Sequence, residues 1–237
     1  MFKNTWIFCK RELKSYFNSP IAYIVITIFL LISGWFFFSG LFMANQASLR
    51  GLFSIVPFVF MFFAPAISMR LISEEKRSGT IEVLATLPVK DWEIILGKYL
   101  SALILLSIAV LLTLTYALTL ALLGNLDEGA LVGGYLGLIF VGATYLSVGV
   151  FTSSFTRNQV VAFVVSFVIV FILFMLDKIV FYFPGFLATL LEYLSVEYHF
   201  ANIARGVIDS RDVIYYLSVI FFFLILAVRS LESRSWR

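Results

Sequence analysis

Charged residues are scarce in this sequence: Asp, Glu, Lys and Arg make up 13% of its 237 residues, whereas 62% are hydrophobic. A soluble domain usually carries about 25% charged residues, so these charges are too few to cover a water-exposed surface. We therefore predict that most of the chain faces lipid. Six helices of about 20 residues, with their connections, would use nearly all of its length, which excludes a soluble catalytic domain.

Cysteine and histidine are nearly absent, since Cys9 and His199 are the only ones. One cysteine excludes a disulfide within the chain, and one histidine without a Cys/His cluster excludes an ordinary zinc site. The phosphate-binding pattern G-x-x-x-x-G-K-[ST] occurs nowhere in the sequence. We expect this chain to bind no metal, cofactor or nucleic acid, and to carry no catalytic site of its own.

Stretches without charged residues predict an all-α integral membrane protein, a single domain over residues 1–237 with six membrane-spanning helices. The predicted spans are residues 21–42, 52–70, 99–123, 131–154, 159–177 and 211–229. The fourth carries five glycines that allow close helix packing: Gly133, Gly134, Gly137, Gly142 and Gly149. The apolar stretch Ile179–Leu191 is too short for a span and is broken by Pro184-Gly185. We predict that residues 178–210 form an outer re-entrant hairpin.

The distribution of basic residues predicts the orientation. With six spans, one side of the membrane holds 13 of the 17 basic residues: Lys3, Lys10, Arg11, Lys14, Arg70, Lys76, Arg77, Lys90, Lys98, Arg157, Arg229, Arg234 and Arg237. The other side holds the remaining four, Arg50, Lys178, Arg205 and Arg211. Because cytoplasmic connections carry the excess of Lys and Arg, both termini are predicted to be cytoplasmic.

The first 18 residues predict an amphipathic helix. Trp6, Cys9 and Leu13 fall on one stripe at helical spacing, and Lys10 and Lys14 fall on another, beside Arg11. A tryptophan together with basic residues is typical of a helix that lies at the membrane interface. Such a helix is either a simple anchor or an element that contacts the spans and senses what docks beneath them.

The connection between the second and third spans, residues 73–92, is the one sizeable polar segment on the predicted cytoplasmic side. Its charge cluster leads to Gly79, after which Thr80 can begin a short helix that Pro88 ends. Ile81, Leu84 and Leu87 would form the apolar face of that helix. A short amphipathic helix of this kind favours insertion into a groove on a soluble partner, although an ordinary solvated loop is the alternative.

The run from Glu74 to Val89, E-E-K-R-S-G-T-I-E-V-L-A-T-L-P-V, resembles the cytoplasmic signature of ABC-2 type transporter permeases, E-x-[RK]-x-x-G-T-x-E-x-L followed by Pro. The predicted topology is similar to that family over the whole chain. Two further stretches, Tyr198–Asp209 and Val228–Trp236, resemble its gliding-motility-associated subgroup.

The resemblance implies an exporter subunit of the bacterial cytoplasmic (inner) membrane that pairs with a second permease, as a homodimer or heterodimer. A separate cytoplasmic ATPase, carrying ATP and Mg, would act on the coupling helix; an auxiliary membrane protein with an outer domain is a further partner. The residues implied at the ATPase contact are Glu74, Glu75, Arg77, Gly79, Thr80, Ile81, Glu82, Leu84, Leu87 and Pro88, with Arg77 one position after the basic residue of the motif.

Two other functions are alternatives to this one. An intramembrane protease would need Glu74 and Glu75 near His199, yet the topology predicts them on opposite sides of the membrane. An ion-coupled carrier or channel usually has charges inside its spans, and the central thirds of the predicted spans have none. We expect His199 to be a hydrogen-bonded residue of the outer hairpin, with Asn202 and Arg205 on the same helix face.

Overall fold

The computed structural model describes residues 2–44, 48–80, 88–123 and 127–232. Within these ranges the regular secondary structure is all helical. The helices are α1 Phe2–Asn18, α2 Pro20–Ala44, α3 Arg50–Ser68, α4 Ser73–Ser78, α5 Asp91–Leu112, α6 Leu114–Leu123, α7 Glu128–Phe155, α8 Gln159–Ile179, a 3-10 turn Val180–Tyr182, α9 Phe186–Leu194, α10 Val196–Ala204 and α11 Ser210–Glu232.

Six helical segments of the described chain are long and apolar enough to cross a membrane: Pro20–Phe42, Arg50–Ser78, Asp91–Leu122, Glu128–Phe155, Gln159–Tyr182 and Ser210–Glu232. The predicted fold class, an all-α integral membrane protein with six spans, is confirmed. Each segment has at least 23 residues, enough to cross a hydrocarbon core about 30 Å thick at 1.5 Å per residue.

The third span begins earlier than the sequence predicts, at Asp91 instead of residue 99. The prediction was limited to residues without charge, and it therefore stopped at Lys98. In the structure Lys98 and Glu93 lie inside the helix and are buried, because each has a polar partner. A paired charge can continue a membrane helix where an unpaired one would end it. The span is interrupted only at Thr113, between α5 and α6.

Helix α7 is the centre of the bundle and packs against α3, α5, α8, α10 and α11. Its glycines make this possible, as the sequence predicted. A methyl group at Gly133 would overlap the carbonyl of Ile203, and one at Gly149 would overlap the hydroxyl of Ser68. The glycines therefore let neighbouring helices approach α7 at the distance of backbone contact.

Two groups of short helices lie at opposite ends of this bundle. At one end, called here the α1 end, α1 packs along the beginning of α5 and α4 lies against α7 and α8. The end of α11 is held at the same end by a hydrogen bond from Ser230 Oγ to Ser154 O, 3.0 Å. The other end, called the hairpin end, holds the 3-10 turn, α9 and α10.

The predicted hairpin is a pair of helices preceded by a turn at Gly185, whose φ of +62° suits glycine. Its two arms differ. No residue of α9 is buried, and Phe181, Phe186 and Leu187 are exposed apolar side chains beside or within it. In contrast, α10 packs against α7, with Phe200 facing Gly137 and Ile203 facing Gly133. Depth in a bilayer remains a prediction for both arms.

Candidate functional site

The predicted coupling segment begins with a helix that the sequence did not predict. Residues Ser73–Ser78 form α4, with Glu74 and Glu75 in the first turn and Lys76 and Arg77 in the last. This order of charges stabilises a helix through its dipole. Gly79 ends α4 in the left-handed conformation, φ +74°, so the chain changes direction after this residue.

The structure describes only part of the residues implied at the ATPase contact. Glu74, Arg77, Gly79, Thr80 and Pro88 are exposed at the α1 end. The apolar face predicted for the coupling helix, and the acidic residue among it, lie outside the described residues: Ile81, Glu82, Leu84 and Leu87. Their role therefore stays a prediction.

Helix α4 is fastened to the end of α7 by hydrogen bonds. Ser153 Oγ accepts from the backbone N–H groups of Ile72 and Ser73, at 3.0 and 3.1 Å, and donates to Met69 O at 2.9 Å. Lys76 Nζ donates to the carbonyl of Ser154. The turn between α3 and α4 thus rests on the central helix, while the exposed residues that follow Lys76 project from it.

Glu75 points inward and joins a partly buried group of charges, the Lys98 cluster, which consists of Arg11, Glu12, Glu75 and Lys98. Lys98 is only 1% exposed and donates to Glu75 Oε1 at 2.8 Å and Glu12 Oε1 at 3.0 Å. Arg11 donates to the same two oxygens, at 3.2 and 2.8 Å. Two cations and two carboxylates from α1, α4 and α5 therefore meet and neutralise one another.

The electrostatics of α1 follow from this packing. Burial raises the pKa of the Glu12 carboxyl, but the charge of Lys98 and the hydrogen bonds from Arg11 and Lys98 outweigh it, so the pKa is lowered. Glu12 is therefore a carboxylate at neutral pH. Burial alone acts on Cys9, one turn earlier on α1, and raises the pKa of its thiol.

The residues predicted to make α1 interfacial divide between its two faces. Lys10 and Lys14 are exposed, and Arg11 is half exposed while bonded to Glu75. Trp6, predicted on the same stripe as Cys9, is 60% exposed, whereas Thr5, Phe8 and Cys9 face α5. The stripe that packs is rotated from the predicted one because Gly97 of α5 admits α1 at Phe8 and Thr5.

The hairpin end holds a second buried ionic pair, formed by His199 and Asp212. His199 Nδ1 lies 2.6 Å from Asp212 Oδ1, and its Nε2 lies 3.0 Å from the carbonyl of Tyr193. A carbonyl oxygen only accepts, so Nε2 carries a hydrogen, and a single proton is shared between Nδ1 and the Asp212 carboxyl. The prediction of a hydrogen-bonded histidine is confirmed.

Tyrosines surround this pair and join three helices. The His199 ring stacks on Tyr215 with centroids 4.0 Å apart. Tyr215 Oη donates to Leu194 O at 2.6 Å, and Tyr216 Oη donates to Val196 O at 2.8 Å. The last span thereby fixes the junction between α9 and α10.

The predicted companions of His199 are not equivalent. Asn202 is half-buried on α10, but Arg205 follows the last residue of that helix and is exposed. That both share the face of His199 stays a prediction, and Arg205 lies just beyond Ala204, the last residue of α10. Glu74 of the protease alternative lies at the α1 end, 4.0 Å from Arg70, away from His199.

Sequence reasoning missed the functional weight of Glu12, Lys98 and Asp212. The sequence predicts Lys98 only as a cytoplasmic charge, and Asp212 only as one residue of the sixth span, residues 211–229. The one available signal was position, since both lie where a charge enters an apolar helix. Their partners are 86 and 13 residues away along the chain, so no local pattern could pair them.

Comparison with known proteins gives one finding. A model of the family described as "ABC-2 family transporter protein" matches residues 18–227, which include all six candidate spans except the final residues of the last. No curated protein matches the chain.

Proposed function

The chain belongs to the ABC-2 family of transporter proteins and is a multi-pass permease component of an ABC transporter; from this we propose that it couples to a separate cytoplasmic ATPase through residues 74–88. ATP and Mg would be bound by that partner. The permease would pair with a second copy or a related permease, and the path for cargo would open between them.

One observation carries this proposal: the first residues of the segment are exposed, while α4 itself is held to the bundle by hydrogen bonds. Glu74, Arg77 and Thr80 are exposed, whereas Ser73 and Glu75, in the same short helix, are tied to α7 and to Lys98. A partner that binds the exposed residues can therefore act on two spans at once. This arrangement supports a force-receiving contact over an ordinary loop.

The orientation of the chain in the membrane is also part of the proposal. Thirteen basic residues against four favour a cytoplasmic α1 end, which would let a soluble ATPase reach the segment in a bacterial inner membrane. We also propose membership of the gliding-motility-associated subgroup, which the similarity of Tyr198–Asp209 supports. An auxiliary membrane protein is a further proposed partner. Binding of membrane lipid is proposed from the apolar exterior.

Leu84→Asp tests the docking role. An aspartate on the predicted apolar face should release the ATPase or abolish its stimulation, because a charge cannot be buried in an apolar groove without a partner. Thr86→Asp, on the opposite face of the predicted helix, is the matched control and should bind the ATPase as wild type does. Co-purification and ATPase rate are measured at equal permease yield.

Two results would contradict the proposal. One is a Leu84→Asp variant that retains the ATPase and its stimulation at the wild-type level. The other is a wild-type permease that purifies without any ATPase and moves solute without ATP.

The ion-coupled alternative is favoured by one observation, the acidic residue Glu197 at the start of α10. Burial and the nearby charge of Asp177 raise the pKa of Glu197 to about 7, although Lys178 opposes the shift. A carboxyl that titrates near neutrality suits proton coupling. Transport by vesicles given a proton gradient without ATP, lost in Glu197→Gln, would support this alternative against the ATPase.

A further inference from the structure

The Lys98 cluster joins the two elements of the α1 end that the sequence treats as separate. Glu12 comes from α1 and Glu75 from α4, and both accept from the same buried ammonium of α5. A buried ammonium group is costly to leave without a counter-ion, so neither carboxylate can leave Lys98 without consequence for the other.

Helix α1 is held against α5 by steric fit as well as by charge. A methyl group at Gly97 would come within 2.6 Å of Phe8 Cβ and 2.8 Å of Thr5 O, so α1 rests directly on the backbone of α5. One turn before Gly97 on α5, Glu93 accepts a hydrogen bond of 3.2 Å from the side chain of Asn4, across the same interface. This contact buries Cys9 completely. The N-terminal helix is therefore part of the bundle.

Within the described residues, the cluster has one buried acceptor that it does not use. Glu75 Oε1 accepts from both Lys98 and Arg11, while Glu75 Oε2 is buried with no hydrogen-bond partner there. The carboxylate can therefore rotate, exchange one oxygen for the other and keep its bond to Lys98. An ionic contact of this kind can follow a displacement of α4 without breaking.

We propose that Lys98 is a positioning residue that transmits movement of α4 to α1, so that both helices and the beginning of α5 respond together when the ATPase acts. The inference rests on the proposed coupling function. The inference adds that α1 moves during coupling, whereas a helix that served only as an anchor would stay fixed.

The single cysteine of the chain is a built-in reporter for this proposal. Cys9 is buried at the contact between α1 and α5, and burial raises the pKa of its thiol, so a maleimide should react slowly while α1 is docked. The rate is measured on the full-length permease in nanodiscs, without any ATPase.

Adjacent glutamates supply a matched pair of variants. Glu75→Gln keeps the shape of the side chain but removes a charge from Lys98, and should raise the Cys9 labelling rate about tenfold, since α1 then opens more often. Glu74→Gln changes an exposed residue of the same helix and should leave the rate within about twofold of wild type. Lys98→Met should resemble Glu75→Gln, and Lys98→Arg should restore protection.

A second reporter separates local opening from loss of the fold. In Cys9→Ser/Val170→Cys the thiol lies on α8 at a fully buried position. It should stay unlabelled in the Glu75→Gln background. If it is labelled as fast as Cys9, Glu75 serves the whole fold and the proposal is overturned.

The final arm adds the ATPase that co-purifies with the permease, with and without ATP and orthovanadate. Trapping should change the Cys9 rate about threefold or more in wild type and in Asp209→Asn, whose exposed side chain lies at the hairpin end, away from the ATPase contact. It should have no effect in Glu75→Gln with the ATPase bound. A bound ATPase whose trapping leaves the wild-type rate unchanged overturns the transmission, as does equal labelling of Glu74→Gln and Glu75→Gln without the ATPase. If the permease recruits no ATPase, the proposed function is wrong. Labelling of Cys9 without the ATPase still tests whether the Lys98 cluster holds α1 in place.

Discussion

The two ends of the bundle both bury a basic side chain beside a carboxyl group, but they do so with different surroundings. At the α1 end, Lys98 has two carboxylates, and Arg11 joins them from an edge where its side chain is 49% exposed. At the hairpin end, His199 has one carboxylate and is enclosed by tyrosine rings, with 1% of its side chain exposed. Each of these two groups has one buried carboxylate oxygen without a hydrogen-bond partner among the described residues, Glu75 Oε2 and Asp212 Oδ2. Only the α1 end adds a second cation and access to solvent.

This difference indicates which end can move. A group of four charges can lose one hydrogen bond and keep others, so α4 and α1 can shift while they remain joined. The His199 pair fixes one geometry, because both ring nitrogens and the adjacent tyrosine hydroxyls are used. We expect the hairpin end to be rigid at the junction of α9 and α10, and the α1 end to adapt.

The largest effect is expected for Asp212→Asn. The change leaves His199 either charged without a counter-ion or short of one hydrogen, and loss of a partner from such a buried pair costs about 3–5 kcal/mol. Asp209→Asn is the control, since its exposed side chain accepts from Arg211 N and asparagine can do the same. Unfolding in detergent micelles is followed for both. Equal stability of the two variants would show that the hairpin end is not held by the ionic pair.

A smaller loss is expected for Lys98→Met, about 1.5–3 kcal/mol, the range for hydrogen bonds to charged groups. Arg11 still neutralises part of the two carboxylates, so the cost should stay below that of Asp212→Asn. Lys178→Met removes a lysine that is 54% exposed and paired with Asp177, and should cost about 0–1 kcal/mol. If Lys98→Met proves the most destabilising of the three, the α1 end is the rigid one and the comparison is reversed.

The sequence predicted the helical spans well because apolar length is a local property of the chain. Six spans, the glycine-rich fourth span and the broken hairpin all follow from composition over short stretches. The pairing of Lys98 with Glu12 and of His199 with Asp212 depends on which helices become neighbours, and no spacing in the sequence encodes it. The rotated stripe of α1 has the same origin, since Gly97 of a distant helix decides which residues of α1 are covered.

The smallest and most specific effect concerns pH at the hairpin end. Burial raises the pKa of Glu197 from its ordinary value of 4.5 to about 7. A carboxyl with a raised folded-state pKa contributes stability that is complete below pH 4.5 and is lost as pH rises through 7. Glu197→Gln should therefore be neutral at pH 4 and stabilising by about 1–2 kcal/mol at pH 8, allowing for the part of the side chain that is in contact with solvent.

At the α1 end, stability should depend on pH in the opposite direction. The pKa of Glu12 is lowered, mainly by Lys98 against the effect of burial, so its contribution is present above 4.5 and is lost as pH falls below that value. Comparing Glu197→Gln and Glu12→Gln with wild type in unfolding experiments at pH 4, 6 and 8 resolves the two ends. Because acid weakens the Lys98 cluster, Cys9 of the wild-type permease should become more reactive relative to its thiolate content at low pH. If Glu197→Gln is no more stable than wild type at pH 8, water reaches the Glu197 carboxylate and the hairpin end is as open as the α1 end.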